Sequence, residues 1–188
     1  DEVLLGNANG ACEENRNVAR MAWLLAGGVQ SVPAMTVNRL CASGMSAIET
    51  ASRMIATGDA DIVIAGGVES MSRAPWVLEK PTRAFGQPGQ MFDSALGWRF
   101  VNPRFEHGDL SRDGKMTYTM TETAQEVAND DGNTRQEADE FAVASQARAV
   151  AAQQAGCFDN EIVPVEITDR KGNVTVVNTD EGPRPGTT

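Results

Sequence analysis

Cys41 is the residue best placed for chemistry in this sequence. It lies between a strand-like segment that ends at Val37 and a helical pattern that begins at Ala42. Ligands of open α/β sheets bind at the carboxyl ends of the strands. A thiol at a helix N-terminus faces unpaired N–H groups and the positive end of the helix dipole, and both favour the nucleophilic thiolate. The placement therefore predicts a cysteine nucleophile, and the small residues after it leave room for a substrate.

Two interpretations of Cys41 stay open on the residues alone. The helix N–H groups that favour a thiolate would also suit the oxyanion of an acyl-transfer intermediate. A lone cysteine in an apolar context, however, is often only a small buried hydrophobe. The spacing around Cys41 does not decide between these two readings.

The other residues that could react have weaker settings. Cys12 lies in a loop and Cys157 at a helix end, so both are interpreted as structural or incidental. Three cysteines this far apart fit neither a disulfide framework nor a metal site, which favours reduced thiols and predicts no bound metal. His107 is the only histidine, and it is interpreted as a surface residue of an irregular segment.

The elements that must position Cys41 follow an α/β pattern. Apolar strand-like runs alternate with segments of helical spacing that end at glycines, which is typical of a mostly parallel sheet. The run over residues 61–67 is continuously apolar, which indicates a strand buried on both faces. The predicted elements are strands at 3–7, 31–37 and 61–67, and helices at 15–26 and 42–57.

The chain changes character at about Met71. Residues 71–118 are rich in Pro, Gly, Arg and aromatics and show no sustained period, so a long functional loop is expected there. Helices are predicted at 121–128 and 134–155, the second opened by a capping box of Thr134 and Glu137. A hairpin is predicted from 162–167 and 174–177.

Charge and hydropathy limit the possible partners. The net charge is −10, which disfavours nucleic acid because phosphate binding needs basic surface. No apolar run approaches the ~20 residues that span a bilayer, and no signal peptide opens the chain. We therefore expect no membrane partner and a cytoplasmic location. From the first and last residues we expect that neither end of the sequence is a natural terminus.

Several motifs around Cys41 resemble those of the thiolase family. Residues 32–45 (VPAMTVNRLCASGM) are similar to its active-site segment, and residues 58–72 resemble the strand and turn that follow it. Residues 137–154 and 161–165 resemble a later helix and strand. Residues 14–21 (ENRNVARM) and 96–103 (LGWRFVNP) resemble the 3-oxoadipyl-CoA branch in particular.

The resemblance implies a thiolase-like layered α/β fold with an inserted loop domain, of which this chain is part. It implies that residues 1–70 belong to the N-terminal core domain that carries the nucleophile. Residues 71–188 would form most of the loop domain that covers CoA. The C-terminal half of a thiolase would then be absent from this sequence.

The resemblance also implies roles for single residues. Cys41 would carry the acyl group as a thioester, in a cycle that uses coenzyme A as co-substrate and no permanently bound cofactor. Met120 would touch the pantetheine or acyl chain, and ordinary core packing is the alternative. Arg184 would contact the CoA nucleotide, and a solvated turn arginine is the alternative. The histidine and the second cysteine that serve the family as acid and base belong to motifs that this chain lacks.

The implied function is thiolytic cleavage of a 3-oxoacyl-CoA such as 3-oxoadipyl-CoA, with acyl-CoA and CoA as partners and a homodimer or homotetramer as assembly. Thr119 stands where many thiolases carry histidine, which counts against acetoacetyl-CoA as preferred substrate. The alternatives are a biosynthetic thiolase that forms acetoacetyl-CoA and a protein that binds acyl-CoA or lipid without turnover. A related ketoacyl synthase is disfavoured by the context of Cys41 and by the long insert. The fragment alone is expected to be inactive.

Overall fold

The protein is described here from a computed structural model, which places residues 1–107 and 116–188. Their contacts group them into two compact units, residues 1–119 and 120–188. This division falls after Thr119, whereas the sequence predicted a domain boundary at 70, and that boundary stays a prediction. The assignment of 71–188 to a loop domain that covers CoA stays a prediction.

A three-stranded parallel sheet forms the centre of the first unit. Its strands are β1 (Glu2–Gly6), β2 (Ala34–Val37) and β3 (Val63–Gly67), and β1 lies between the other two. Leu4 of β1 stands in register with Met35 of β2 and Ala65 of β3. The predicted parallel α/β sheet is confirmed.

Helix α2 (Ser43–Thr57) covers one face of this sheet because its small residues allow close approach. Ala47 and Ala51 pack on Leu4, which is fully buried, and Val63 and Ala65 of β3 border the same cluster. The helix ends at Gly58, whose φ of 77° is the left-handed conformation that glycine adopts without cost.

Helix α1 (Val18–Leu25) is joined to the edge strand β2 by polar contacts. Asn17 caps the helix by accepting the Arg20 N–H, and its amide nitrogen donates to the Ala34 carbonyl. The Thr36 hydroxyl donates to the Asn17 amide oxygen and accepts from the Ala19 N–H. The helix is shorter than predicted because this cap starts it three residues after Asn15.

The apolar run over β3 is less buried than the sequence predicted. Val63 and Ala65 are partly covered on the side of α2, whereas Ile64, which points to the other face, is 48% exposed. The expectation of burial on both faces is therefore wrong for the described residues.

Residues 71–107 are more ordered than the predicted loop. Strands β4 (Trp76–Leu78) and β5 (Met91–Asp93) form an antiparallel pair, and α3 (Pro103–His107) follows. The side chain of Phe92 meets that of Phe100 edge to face, with ring centroids 5.2 Å apart. The absence of a period hid these elements because a three-residue strand shows a single alternation.

The second unit contains helices α4 (Met120–Asp131) and α5 (Arg135–Gln154) and a hairpin of β6 (Val165–Thr168) and β7 (Val174–Val177). The predicted capping box opens α5: Thr134 accepts from the Glu137 N–H while the Glu137 carboxylate accepts from the Thr134 N–H. The hairpin turns at Gly172, whose φ is 85°. The helices and hairpin predicted for this region are thus present, with small shifts at their ends.

In residues 1–107 and 116–188 no helix is long and apolar enough to cross a membrane. In the same residues no group of three or more His, Cys, Asp or Glu side chains is placed to hold a metal ion.

Gly6 provides a test of how α2 is seated. A Cβ at position 6 would lie 2.5 Å from the Gly44 nitrogen and 2.5 Å from the Ser43 carbonyl carbon. These are backbone atoms that cannot move aside, so Gly6→Ala is expected to lower the free energy of unfolding by about 1–3 kcal/mol in chemical denaturation.

Gly44→Ala is the matched control, because a Cβ there has its nearest neighbour, the Gly66 carbonyl oxygen, 4.0 Å away. Alanine is the better helix former by up to ~1 kcal/mol, so this variant should lose no stability. Equal stability of Gly6→Ala and the parent protein would contradict the close packing.

Candidate functional site

Cys41 lies at the carboxyl edge of the parallel sheet, on the short loop between β2 and α2. Its side chain is exposed, so the reading of Cys41 as a small buried hydrophobe does not hold for the described residues. The helix begins at Ser43, one residue later than predicted, and Ala42 is its N-cap. Cys41 therefore precedes the helix rather than opening it.

The loop that carries Cys41, residues 38–42, is held by hydrogen bonds from both sides. The Asn38 amide nitrogen donates to the Ala8 carbonyl at 3.0 Å, and the Asn38 amide oxygen accepts from the Leu40 N–H at 3.0 Å. The Ser43 hydroxyl accepts from the Arg39 N–H at 2.8 Å. We call residues 38–42 the nucleophile loop, after the role that the sequence predicts for Cys41.

Leu40 has an unusual backbone conformation directly before Cys41. Its φ is 49°, in the left-handed region that residues with a side chain rarely adopt. Such a conformation costs about 1–3 kcal/mol and persists only where surrounding contacts enforce it. Turns of this kind occur at functional sites, where they direct a side chain out of the protein.

The first turn of α2 offers hydrogen-bond donors next to Cys41. The first helical bond runs from the Ser46 N–H to the Ala42 carbonyl, at 2.9 Å. Among the hydrogen bonds of residues 1–107 and 116–188, none involves the N–H groups of Gly44 or Met45. These two donors are the kind of group that binds a developing negative charge.

The ends of β1 and β3 are tied together beside the nucleophile loop. The Glu69 carboxylate accepts from the N–H groups of Ala8 and Asn9, at 2.7 and 3.1 Å. The buried Asn7 donates to the Val68 carbonyl and accepts from the Gly10 N–H. These bonds fix the segment that Asn38 then uses as its anchor.

Arg99 connects the β4–β5 region to the same edge. Its guanidinium donates to the Asn9 amide oxygen and to the Ser94 carbonyl, each at 3.3 Å. The Ser94 hydroxyl donates to the Pro75 carbonyl at 2.6 Å and accepts from the Asn9 amide nitrogen. No local sequence pattern predicts this network, since it joins residues 85 and 90 positions apart.

Met120 and Arg184 belong to the second unit, whereas Cys41 belongs to the first. Met120 begins α4, and its side chain is 74% exposed, so the alternative of core packing does not apply within its unit. The exposed Arg184 donates its N–H to the Gln146 side-chain oxygen at 2.7 Å. It lines a cavity of about 280 Å³ between α5 and residues 184–187.

Cys12 has an electrostatic setting that slows its chemistry. A hydrogen bond from its thiol to the Glu13 carboxylate, helped by desolvation and by the charge of Glu13, raises the pKa of Cys12 above its usual value. The same thiol, together with Arg73, lowers the pKa of Glu13 to about 2. Both effects favour a neutral thiol, in line with the interpretation of Cys12 as incidental.

The remaining sequence candidates are placed as follows. Cys157 follows α5 with its thiol exposed and free. His107 is the last residue of the short helix α3, whereas the sequence predicted that it would lie in an irregular segment. Its position there reflects the Asn102 side chain, which accepts from the Arg104 N–H and so starts a helical turn.

The Cys12 thiol gives a pH-dependent prediction. Because its pKa is raised, its thiolate fraction at pH 8 is below that of an ordinary cysteine, and its alkylation should accelerate as the pH rises. Glu13→Ala removes the acceptor and the nearby charge, so it should lower the pKa and speed the reaction with iodoacetamide at pH 8.

Peptide mass spectrometry measures this, since Cys12 lies on the tryptic peptide that ends at Arg16, apart from the other two thiols. Glu181→Ala, which removes an exposed glutamate of the second unit, is the control. A Cys12 rate that is unchanged in Glu13→Ala would show that Glu13 does not govern this thiol.

Comparison with known proteins gives one consistent result. Residues 1–188 match the N-terminal domain of thiolase. A β-ketoadipyl-CoA thiolase of Pseudomonas aeruginosa is 55% identical over 188 residues, which is all of this chain and 45% of the relative. A protein of Escherichia coli K12 named 3-oxoadipyl-CoA/3-oxo-5,6-dehydrosuberyl-CoA thiolase is 51% identical over the same extents.

A more distant relative carries another name. An acetyl-CoA acetyltransferase of Allochromatium vinosum is 44% identical over 188 residues, again all of this chain and 45% of the relative. The chain thus spans less than half the length of the curated relatives that it matches.

Proposed function

This chain belongs to the thiolase family, and from that premise we propose that it carries the nucleophile of an enzyme that cleaves 3-oxoacyl-CoA by thiolysis, with 3-oxoadipyl-CoA as its substrate. One observation supports this most directly. Cys41 stands exposed on a braced loop at the carboxyl edge of the sheet, next to helix N–H groups that have no partner in residues 1–107 and 116–188.

The proposed reaction has two acyl transfers. The Cys41 sulfur attacks the keto carbon of the 3-oxoacyl-CoA, and the bond between C2 and C3 breaks. The electron pair of that bond stays on C2. The fragment that contains C2 takes a proton there and leaves as acetyl-CoA. Coenzyme A, as co-substrate, then transfers its thiol proton to a base and attacks the thioester on Cys41. The Cys41 sulfur departs as the thiolate that begins the next cycle, and the shortened acyl-CoA leaves.

Covalent catalysis suits this chemistry because each step exchanges one acyl bond for another. The N–H groups of Gly44 and Met45 are proposed to stabilise the negative charge that develops on the acyl oxygen or on sulfur. A chain of this family needs an acid and a base for the two proton transfers. The resemblance assigns them to the part of the relatives that this chain does not span.

Met120 and Arg184 are proposed as contacts of the co-substrate. The guanidinium of Arg184 suits the phosphates or the adenine of CoA, and it lines a cavity in its own unit. The exposed thioether of Met120 suits the apolar part of pantetheine or an acyl chain.

A homodimeric or homotetrameric assembly and a cytoplasmic location also stay predictions.

A biosynthetic thiolase that joins two acetyl-CoA molecules is the second candidate. The Allochromatium relative named acetyl-CoA acetyltransferase supports it. The higher identity to relatives named for 3-oxoadipyl-CoA favours the degradative substrate.

The role of Cys41 is tested in the full-length enzyme that contains this chain. Cys41→Ser should lower turnover by at least ~10³-fold, because an alcohol at neutral pH is a far weaker nucleophile than a thiolate. Intact-protein mass spectrometry after exposure to 3-oxoadipyl-CoA should show a succinyl adduct on the parent enzyme and none on the variant.

Cys157→Ser and Cys12→Ser are the controls, since these two thiols are also exposed. Both variants should keep the adduct, because Cys41 is the proposed acyl carrier. An adduct that survives Cys41→Ser, or a parent enzyme that forms none, would refute the proposed function.

The substrate is tested by a direct comparison of kcat/KM. The full-length enzyme should prefer 3-oxoadipyl-CoA to acetoacetyl-CoA by about tenfold or more, because a site built for a distal carboxylate leaves polar groups unpaired with the shorter substrate. A preference for acetoacetyl-CoA would move the assignment to the biosynthetic candidate.

A further inference from the structure

We infer that Ser43 is a positioning residue for Cys41, which it holds in place through a two-bond clamp on the nucleophile loop. The Ser43 hydroxyl accepts from the Arg39 N–H at 2.8 Å and donates to the Leu40 carbonyl at 2.6 Å. It therefore engages the peptide groups on both sides of the turn that precedes Cys41. This inference rests on the proposed role of Cys41 as acyl carrier.

The hydroxyl of Ser43 is not an ordinary helix cap. Ala42 occupies the N-cap of α2 and makes no side-chain cap bond. Ser43 is the first residue of the helix, and its side chain is directed back into the loop rather than to the N–H groups of its own helix. The helix thus gains no cap from this serine, whereas the loop gains two bonds.

The clamp acts on the one strained residue of the nucleophile loop. Leu40 has a φ of 49°, and its carbonyl accepts from both the Ser43 hydroxyl and the Ser43 N–H, the latter at 3.0 Å. Without the hydroxyl the Arg39 N–H loses its partner in α2. Leu40 can then relax toward an ordinary conformation, which would swing Cys41 away from its place.

The site also restricts which side chain can do this. Ser43 is only 5% exposed, and a Cβ on Gly6 would lie 2.8 Å from the Ser43 Cβ. Little space therefore surrounds the residue, and a small side chain with a hydroxyl meets both demands. Alanine fits the space but lacks the hydroxyl, which makes Ser43→Ala the informative variant.

Ser46 supplies a matched control one turn further along α2. It is also 5% exposed, and none of the hydrogen bonds described for residues 1–107 and 116–188 joins its hydroxyl to the nucleophile loop. Ser46→Ala therefore removes the same group from an equally buried site of the same helix. A purely structural role would give the two variants similar losses.

The experiment compares Ser43→Ala, Ser46→Ala and the parent full-length enzyme in three measurements. Hydrogen exchange of a peptide that covers residues 38–42 should quicken at least tenfold in Ser43→Ala and stay at the parent rate in Ser46→Ala. The kcat of thiolysis should fall about 10- to 100-fold in Ser43→Ala alone, because a nucleophile displaced by ~1 Å loses a factor of this size. The KM for CoA should change less than twofold, and the two variants should have similar Tm values.

Each contrary result has one meaning. A Ser43→Ala enzyme with parental kcat overturns the inference and leaves the proposed function standing. Parental exchange of residues 38–42 in that variant overturns the clamp. A loss of kcat that Ser46→Ala shares, with a matching fall in Tm, reduces Ser43 to a structural residue. A parent enzyme that never acylates Cys41 refutes the proposed function itself, which the unsubstituted protein reveals before any variant is compared.

Discussion

The close approach of Gly6 to the start of α2 is the constraint on which the site depends. The last residue of β1 lies against the backbone of Ser43 and Gly44, with no room for a side chain between them. Strand and helix therefore meet as backbone on backbone, which fixes the helix N-terminus relative to the strand ends. Since Cys41 precedes that N-terminus by two residues, its position follows from the same contact.

The polar side chains at the edge of the sheet then complete what this contact begins. Each strand end leaves peptide groups that the sheet no longer pairs, and these groups need other hydrogen-bond partners. Asn7, Asn38 and Glu69 bond to these groups and connect the three strand ends in one network. The same bonds that satisfy the backbone also immobilise the nucleophile loop.

Sequence patterns predicted the central sheet because its strands are apolar runs that alternate with segments of helical spacing. The helix α2 follows from its apolar spacing and from Gly58, and α5 follows from its capping box. The pair β4–β5 escaped because strands of three residues carry almost no periodic signal. The apolar run of β3 predicted more burial than the structure shows. Hydropathy indicates that a strand is suited to burial, but it does not show whether another element packs on that strand.

The position of the proposed nucleophile was predictable from the sequence, whereas the contacts that support it were not. A cysteine between a strand and a helix is visible in the sequence, and the family motif around it is specific. The left-handed Leu40 is not visible, because leucine has no preference for that conformation and only tertiary contacts impose it. The contacts of Asn9 with Ser94 and Arg99 join distant positions, which no local pattern encodes.

The two kinds of candidate residue are held in ways that suit different tasks. A bond-forming sulfur must be placed to within a fraction of an ångström, and the loop of Cys41 is accordingly braced from β1 by Asn38 and from α2 by Ser43. A cation that meets a phosphate acts over a longer range and tolerates movement. Arg184 fits that task, since its backbone is anchored to Gln146 while its side chain remains exposed. Hydrogen bonds are thus concentrated where a covalent bond is proposed to form, whereas the Arg184 side chain that is proposed to meet CoA lies exposed.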